Sequence, residues 1–235
     1  MTGRHALPRR WVRLGVTIAA VGATTAGMLI AAAAPSSAAP FSTSCRARSI
    51  AFDGPRPFVI GAANNQLTPC ATDYSAITDT SVPVLGVNPL VTVGVHAVNN
   101  GTFFNQAGFA PLVTSSSATS DIARVTIHGL GLNVIIEGVH SQANAESSEL
   151  GETCSENTSS SSYVAKVTVN GKQIKILDSS QPITIHLPLR LSLYLNRQVV
   201  TNHQVTQDVI YLQWPDKRYD IAIGETTAGT QCNAP

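Results

Sequence analysis

Ile183, Ile185 and Leu187 alternate with Thr184 and His186, Pro188 interrupts, and Leu191, Leu193 and Leu195 alternate with Ser192, Tyr194 and Asn196. A two-residue period turns one side of an extended chain toward a core and the other toward solvent. Upstream, Val164, Val167 and Val169 lead into Asn170-Gly171, and Lys172, Ile174 and Ile176 lead away. Two extended runs around an Asn-Gly pair predict a hairpin with a type I′ turn. Val209 to Trp214, a turn at Pro215 to Arg218, and Tyr219 to Thr227 predict a last hairpin. No segment of helical period lies between these runs to make βαβ crossovers. At least eight strands must therefore bury their faces against one another, and the fold class is all-β, an antiparallel β-sandwich or distorted barrel.

The rest of the chain reads less regularly. From Ala39 to about Pro89, six prolines (Pro40, Pro55, Pro57, Pro69, Pro83, Pro89) deny donors to a sheet ladder, which predicts loops with short strands. Leu90 to Val98 reads as a strand, Asn99-Asn100-Gly101 as a turn, and Thr102 to Asn105 as the returning arm of a hairpin. Thr114 to Ser120 is small and polar, either a linker or the start of a surface strand. Ala123 to Ile127 and Leu130 to Val139 are β-branched and apolar, with Gly129, Gly131 and Gly138 marking bends or close backbone approach. Val139, Ser141, Ala143 and Ala145 alternate with His140, Gln142, Asn144 and Glu146, a half-solvated strand that is expected to run out into a loop from Ser147 to Ser162. The organisation expected is a signal peptide over 1–38, an irregular and β region over 39–113, and a second β region over 114–235 packed with the first as one domain.

The expected signal rests on Arg4, Arg9, Arg10 and Arg13, the uncharged stretch from Leu14 to Ala34, and Ser36-Ser37-Ala38 at a cleavage site. Either the general or the twin-arginine export route fits. The mature part then holds 11 Lys plus Arg against 14 Asp plus Glu. A weakly acidic chain without a basic run excludes broad phosphate neutralisation, so nucleic acid is not an expected partner, nor is the membrane after cleavage. Cys45, Cys70, Cys154 and Cys232 all follow the leader, and four widely spaced cysteines in an exported chain predict two disulfides. Of three pairings, Cys45 with Cys70 and Cys154 with Cys232 is favoured. The first closes a short irregular segment, and the second ties the chain's end to a long loop. Zinc would need close ligand pairs, and no C-x-x-C occurs.

From about Ala118 to Cys232 the order of motifs resembles the secreted actinobacterial modules called choice-of-anchor P domains. The resemblance lies in G-L-N-V-I-I-E-G-V-H-S-Q-A (Gly131 to Ala143), V-T-V-N-G-K (Val167 to Lys172), the L-P and L-Y-L-N-R-Q runs between Leu187 and Gln198, and D-V-I-Y-L followed by D-I-A-I-G-E. It covers about half the chain and implies an extracellular β domain without established functional residues. The sequence ends at Cys232-Asn233-Ala234-Pro235 with no sorting motif, so release into the medium is expected rather than wall attachment.

Candidate chemistry is sparse. G-x-S-x-G is absent, and His96, His128, His140, His186 and His203 show no triad spacing. His128 and His140 could share a metal only through a tight reversal around Gly131. Glu146, Glu149, Glu152 and Glu156 beside Cys154 could gather around calcium, although a solvated acidic loop is the favoured reading. Asp121, Glu137, Asp208, Asp216, Asp220 and Glu225 could supply a glycosidase pair, but sequence selects none. Tyr211 and Trp214 on one strand, with Tyr194 nearby, could form an aromatic platform for sugar, against a core role for Trp214. No cofactor and no catalytic residue is expected. The chain reads as a secreted, non-enzymatic surface or extracellular interaction module, its partner a cell-wall polymer or surface protein. A secreted hydrolase for esters or glycosides and a structural envelope component are the alternatives.

Overall fold

The computed structural model describes residues 41–84, 91–107, 112–129, 131–150, 153–176, 181–215 and 219–232. The expected signal peptide lies outside them, as do Glu152 and residues 216–218 of the last turn. In chain order the strands are β1 (Phe41–Asp53), β2 (Phe58–Ala63), β3 (Asp73–Val84), β4 (Val91–Ala107), β5 (Leu112–Gly129), β6 (Leu132–Leu150), β7 (Thr153–Val169), β8 (Lys172–Ile174), β9 (Ile183–His186), β10 (Ser192–Val200), β11 (Gln204–Gln213) and β12 (Asp220–Cys232). Sheet A runs β2-β1-β12-β11-β10-β9 and sheet B runs β3 to β8 in sequence order. Every described pairing is antiparallel. Both sheets keep open ends, so the architecture is a sandwich and not a barrel. Asn170 and Gly171 sit at φ 48° and 79°, the left-handed pair that a type I′ turn requires.

Three expectations are corrected. The proline-rich stretch before Pro89 holds β1, β2 and β3 rather than mostly loops. Of its prolines, Pro55, Pro57 and Pro69 lie between strands and Pro83 on edge strand β3, where no ladder donor is lost to a second neighbour, while Pro40 and Pro89 are outside the described residues. Asn99-Asn100-Gly101 is not a turn but the middle of the 17-residue β4. An asparagine favours turns by bonding locally, whereas the buried Asn100 amide donates to Ser49 Oγ (2.8 Å) and to the Gly61 carbonyl, and its Oδ1 accepts from Ser120 Oγ (2.7 Å). Most of the loop expected from Ser147 to Ser162 is paired as β6 and β7, Ser147 facing Glu156 and Glu149 facing Cys154, whereas Thr114 to Ser120 takes the strand reading of its two and lies near the start of β5.

A row of interrupted pairs crosses each sheet and divides the sandwich in two. In sheet B the ladder passes from His96–Arg124 to Val98–Ile122 and from Glu137–Lys166 to Val139–Val164, stepping over Ala97, Ala123, Gly138 and Ala165. In sheet A it steps likewise over Ser49, Gly61, Gly224, Val209 and Asn196. Alternate members are left-handed: Ala97 (φ 49°), Gly138 (63°), Gly61 (57°), Gly224 (65°) and Asn196 (56°). Each such residue reverses which alternate side chains point inward. In β6, Val134 and Ile136 are buried before the crease, and Val139, Ser141, Ala143, Ala145 and Ser147 after it. In β12, Ile221 and Ile223 are followed by Thr226, Ala228 and Thr230.

The two halves consequently differ in chemistry. One encloses the main cluster, including Ile50, Phe52, Val93, Val125, Ile136, Leu193, Ile210, Leu212, Trp214 and Ile221. Each large aliphatic side chain so buried contributes about 1.5–3 kcal/mol. The other half holds Val98, Ile122, Val139 and Val164 just past the crease and Phe41 toward its end, and between them small satellite clusters, Ala143-Ala145-Val205-Ala228 and Ala47-Ala63-Ala118, among buried Ser and Thr. Its sheets are joined by hydrogen bonds: Ser116 Oγ to the Gly229 carbonyl (3.1 Å), Ser141 Oγ with Thr226 Oγ1 (2.6 Å), and Ser162 Oγ to Asn196 Oδ1 (2.9 Å). Net worth is only about 1 kcal/mol per bond. Both predicted disulfides are present and lie in this weaker half, Cys45–Cys70 with Cα atoms 4.8 Å apart and Cys154–Cys232 with Cα atoms 6.4 Å apart. The second joins β7 of sheet B to β12 of sheet A. Among the described residues no cysteine is free, a state that fits an oxidising compartment. No described helix is long and apolar enough to cross a membrane.

Candidate functional site

On the outer face of sheet A, beside the crease, Arg48, Glu225, Asp208 and Arg197 are successive ladder partners across β1, β12, β11 and β10. Glu225 accepts from Arg46 Nη2 (3.0 Å) and from Arg48 Nη2, and Asp208 Oδ2 accepts from Arg197 Nη1 (2.9 Å). Cross-strand neighbours share a face, so the pairing follows from register alone. The carboxylates form a floor: the Asp208 and Glu225 side chains are 5% and 7% exposed, whereas Arg197 is 37% exposed. One rung on, Tyr194 faces Tyr211, their ring centroids 6.0 Å apart and their planes tilted by 51°. The Arg197 guanidinium lies 3.9 Å above the Tyr211 ring, a cation–π contact. Tyr211 Oη donates to Asp220 Oδ2 at 2.6 Å, which fixes the ring. Together with Phe58, Val59 and Val199, the Arg–carboxylate row, Tyr211 and Asp220 line an open groove of about 760 Å³, and Tyr194 stands next to Tyr211 outside that lining.

Burial governs the electrostatics here. It lifts the Asp208 carboxyl from 3.8 to about 7, reinforced by the charge of Glu225 and opposed by Arg197 and Arg48. Burial and the bond to Asp220 push the Tyr211 hydroxyl up to about 12. Desolvation also lowers Arg46, against the attraction of Glu225. Because Asp208 holds its proton to a higher pH folded than unfolded, its contribution to stability is fully present below pH about 4 and is lost as pH rises to about 7. We expect the melting temperature to fall between pH 5 and 7, above the range of ordinary carboxylates, and Asp208→Asn to flatten that fall. An identical slope in the variant, followed by calorimetry, would remove this assignment.

Of the expected platform, Tyr194 and Tyr211 come together and Trp214 does not. Three residues along a strand reverse the face, so Trp214 points into the core at 8% exposure, edge-on to Tyr219 (6.3 Å, 68°). Asp208, Asp220 and Glu225 join the site, whereas Asp121 and Glu137 lie on sheet B, paired with His140 (2.6 Å) and with Arg124 and Lys166 (3.1 and 2.7 Å). Asp216 is outside the described residues. Arg46, Arg48 and Arg197 escape sequence reading, since an arginine every second position signals only a solvated face until the opposite strand's carboxylates are known.

Neither of the two metal alternatives to the favoured readings gains a site among the described residues. His128 faces Asn133 and His140 faces Asp121, seven rungs apart on β5 and β6, roughly 23 Å along the strands. Glu146 lies on the opposite face of β6 from Glu149, and Glu156 is engaged with His203 Nδ1 (2.6 Å) and the Cys232 N–H (2.7 Å). Burial raises the Glu156 carboxyl, but those two donors hold it below its ordinary value. Among the described residues no group of three or more His, Cys, Asp or Glu side chains could hold a metal ion. His96 with Asp79 (2.6 Å) forms a further exposed pair, and no described serine bonds to a histidine. Comparison with known proteins finds no family model, no curated protein and no solved structure that matches this chain.

Proposed function

We propose that this chain is a secreted, non-enzymatic interaction module that holds an extracellular polysaccharide in the groove on sheet A. One observation carries the reading: the Tyr194–Tyr211 pair is braced by Arg197 and Asp220 above carboxylates that are themselves buried. Aromatic rings already held in place contact the apolar faces of sugar rings at little ordering cost, here as two tilted rings with one face of Tyr211 covered by Arg197, and arginine donors with carbonyl and carboxylate acceptors fix orientation. Asp208 and Glu225 could be mistaken for a hydrolytic pair. Glycosidase carboxyls must reach both sides of a scissile bond, and these lie beneath the arginines they bind. That burial supports binding over cleavage. The export signal, the disulfides and the resemblance to choice-of-anchor P domains support a place at the cell surface or in the medium.

The test is co-sedimentation of protein recovered from culture fluid with isolated cell walls and insoluble polysaccharides, beside a panel of ester and glycoside substrates. Saturable binding is expected, weakened about tenfold by Tyr211→Ala with the melting temperature little changed. Product formation by the wild-type protein would establish the hydrolase instead, and self-association without saturable binding would establish a structural envelope component.

A further inference from the structure

Sheet B has one edge that is left open. β8 covers only Val167–Val169, so β7 from Thr153 to Lys166 is paired with β6 on one side and, among the described residues, with no strand on the other. Its outward backbone donors and acceptors are a template for another strand. The other edges are shorter or guarded, the stretch of β10 that β9 leaves uncovered being only Arg197 to Val200. β9 has four residues and β2 six, while β3 carries Asp73, Asp79 and Pro83. Between Asn157 and Ala165, β7 holds no charge, proline or glycine.

We propose that two copies of this chain join through β7, antiparallel and edge to edge, into a twofold dimer with a continuous sheet B. The occupant is identified by charge. Glu146 and Glu149 stand at the β6–β7 end of the open run and Lys172 and Lys175 at its other end, while Glu156 and Lys166 are already engaged by His203 and Glu137. Antiparallel pairing of identical edges sets each copy's acidic end beside the other's basic end, while the middle, Thr158 to Ser162, meets only itself. An isologous contact of this kind closes at two copies and leaves no edge for a third. The dyad stands perpendicular to sheet B, so both copies carry sheet A on the same side. If the groove on sheet A binds polymer, the dimer presents two such grooves in one direction, a source of avidity. The dimer itself does not depend on that reading.

Sedimentation equilibrium on the exported protein should give twice the mass of one chain at micromolar concentration. Ser161 is exposed on the outer face of β7, and Ser161→Lys places like charges near the dyad. The expected result is a monomer that still unfolds cooperatively, with a melting temperature that does not depend on protein concentration. Ser160→Pro and Ser161→Pro form a second pair of variants. Neighbouring N–H groups point to opposite sides of a strand, so one variant damages the β6 ladder and the other removes a donor from the free edge alone. A folded, monomeric proline variant supports the proposal. A wild-type protein that stays monomeric throughout, or a dimer that survives Ser161→Lys, overturns it, and neither outcome bears on polysaccharide binding by the monomer.

Discussion

Replacing Cys154 and Cys232 together by serine is expected to lower the stability of the folded chain by about 4.5 kcal/mol, the loop-closure value for a bridge spanning 78 residues. The corresponding value for Cys45–Cys70, with a separation of 25, is about 3.5 kcal/mol. The loss should be unevenly distributed. The aliphatic half keeps Val93, Val125, Ile136, Leu193, Ile210 and Ile223 buried whether or not sulfur joins the sheets. The hydroxyl-lined half would retain mostly small side chains, with Phe41 and Val205 its larger ones, and bonds such as Ser141–Thr226 and Ser116–Gly229. Three of its buried hydroxyls, on Thr114, Ser147 and Thr230, have no partner among the described residues, and an unmade bond costs more than a made one contributes. Amide exchange should therefore rise sharply in Leu112–Ser120, Ser141–Leu150 and Thr226–Cys232 of the double variant, with much smaller change around Val134, Val125 and Ile221. Uniform loss of protection over both halves would show that the sandwich does not divide as described. Denaturant unfolding supplies the total.

The second large effect concerns the crease. Gly138→Ala should destabilise by about 2 kcal/mol or more, because an L side chain is disfavoured at φ 63° and the added Cβ would stand 2.8 Å from Ala165 Cβ. Ala97 occupies the equivalent place on β4 at φ 49° with a side chain already present. Ala97→Gly should therefore leave stability unchanged or raise it by up to about 1 kcal/mol, the left-handed cost removed outweighing the entropy glycine adds to the unfolded chain. Opposite signs at two positions of one row, measured by urea denaturation, would be hard to obtain from ordinary strand positions, where glycine weakens and alanine is tolerated. Two changes of the same sign would refute the left-handed assignment.

These features were unequally visible in the amino-acid order. The hairpin around Asn170-Gly171, the alternation from Ile183 to Asn196 and both disulfides follow from local signals and spacing. The crease does not, since Ala97 and Asn196 carry no mark that distinguishes them from strand residues of ordinary conformation, and Gly138 signals only some bend. Length was misjudged for the same reason. Asn99-Asn100-Gly101 has turn chemistry, which is overruled once Asn100 bonds across the sandwich to Ser49 and Gly61, and Thr114–Ser120, open between linker and strand, becomes strand as Ser116 bonds to Gly229. Of the candidate site, the tyrosines could be proposed because Tyr194 and Tyr211 sit on alternating runs. Their meeting, and the exclusion of Trp214, needed the register of β10 against β11. The arginines were hidden because Arg46 and Arg48 lie some 180 residues before the carboxylate they bind, separations of 179 and 177.

The crease also governs how such a chain can change in length. Removing one residue from β6 beyond Gly138 would shift the frame of everything after it, exposing Ser141, Ala143 and Ala145 and burying His140, Gln142 and Asn144, without disturbing Val134 or Ile136. A paired insertion or deletion, or one confined to a hairpin tip, leaves the frame intact. The row of left-handed residues thus acts as a reset point, letting one end of each long strand drift in composition toward hydroxyls while the other stays aliphatic, within a single continuous sheet.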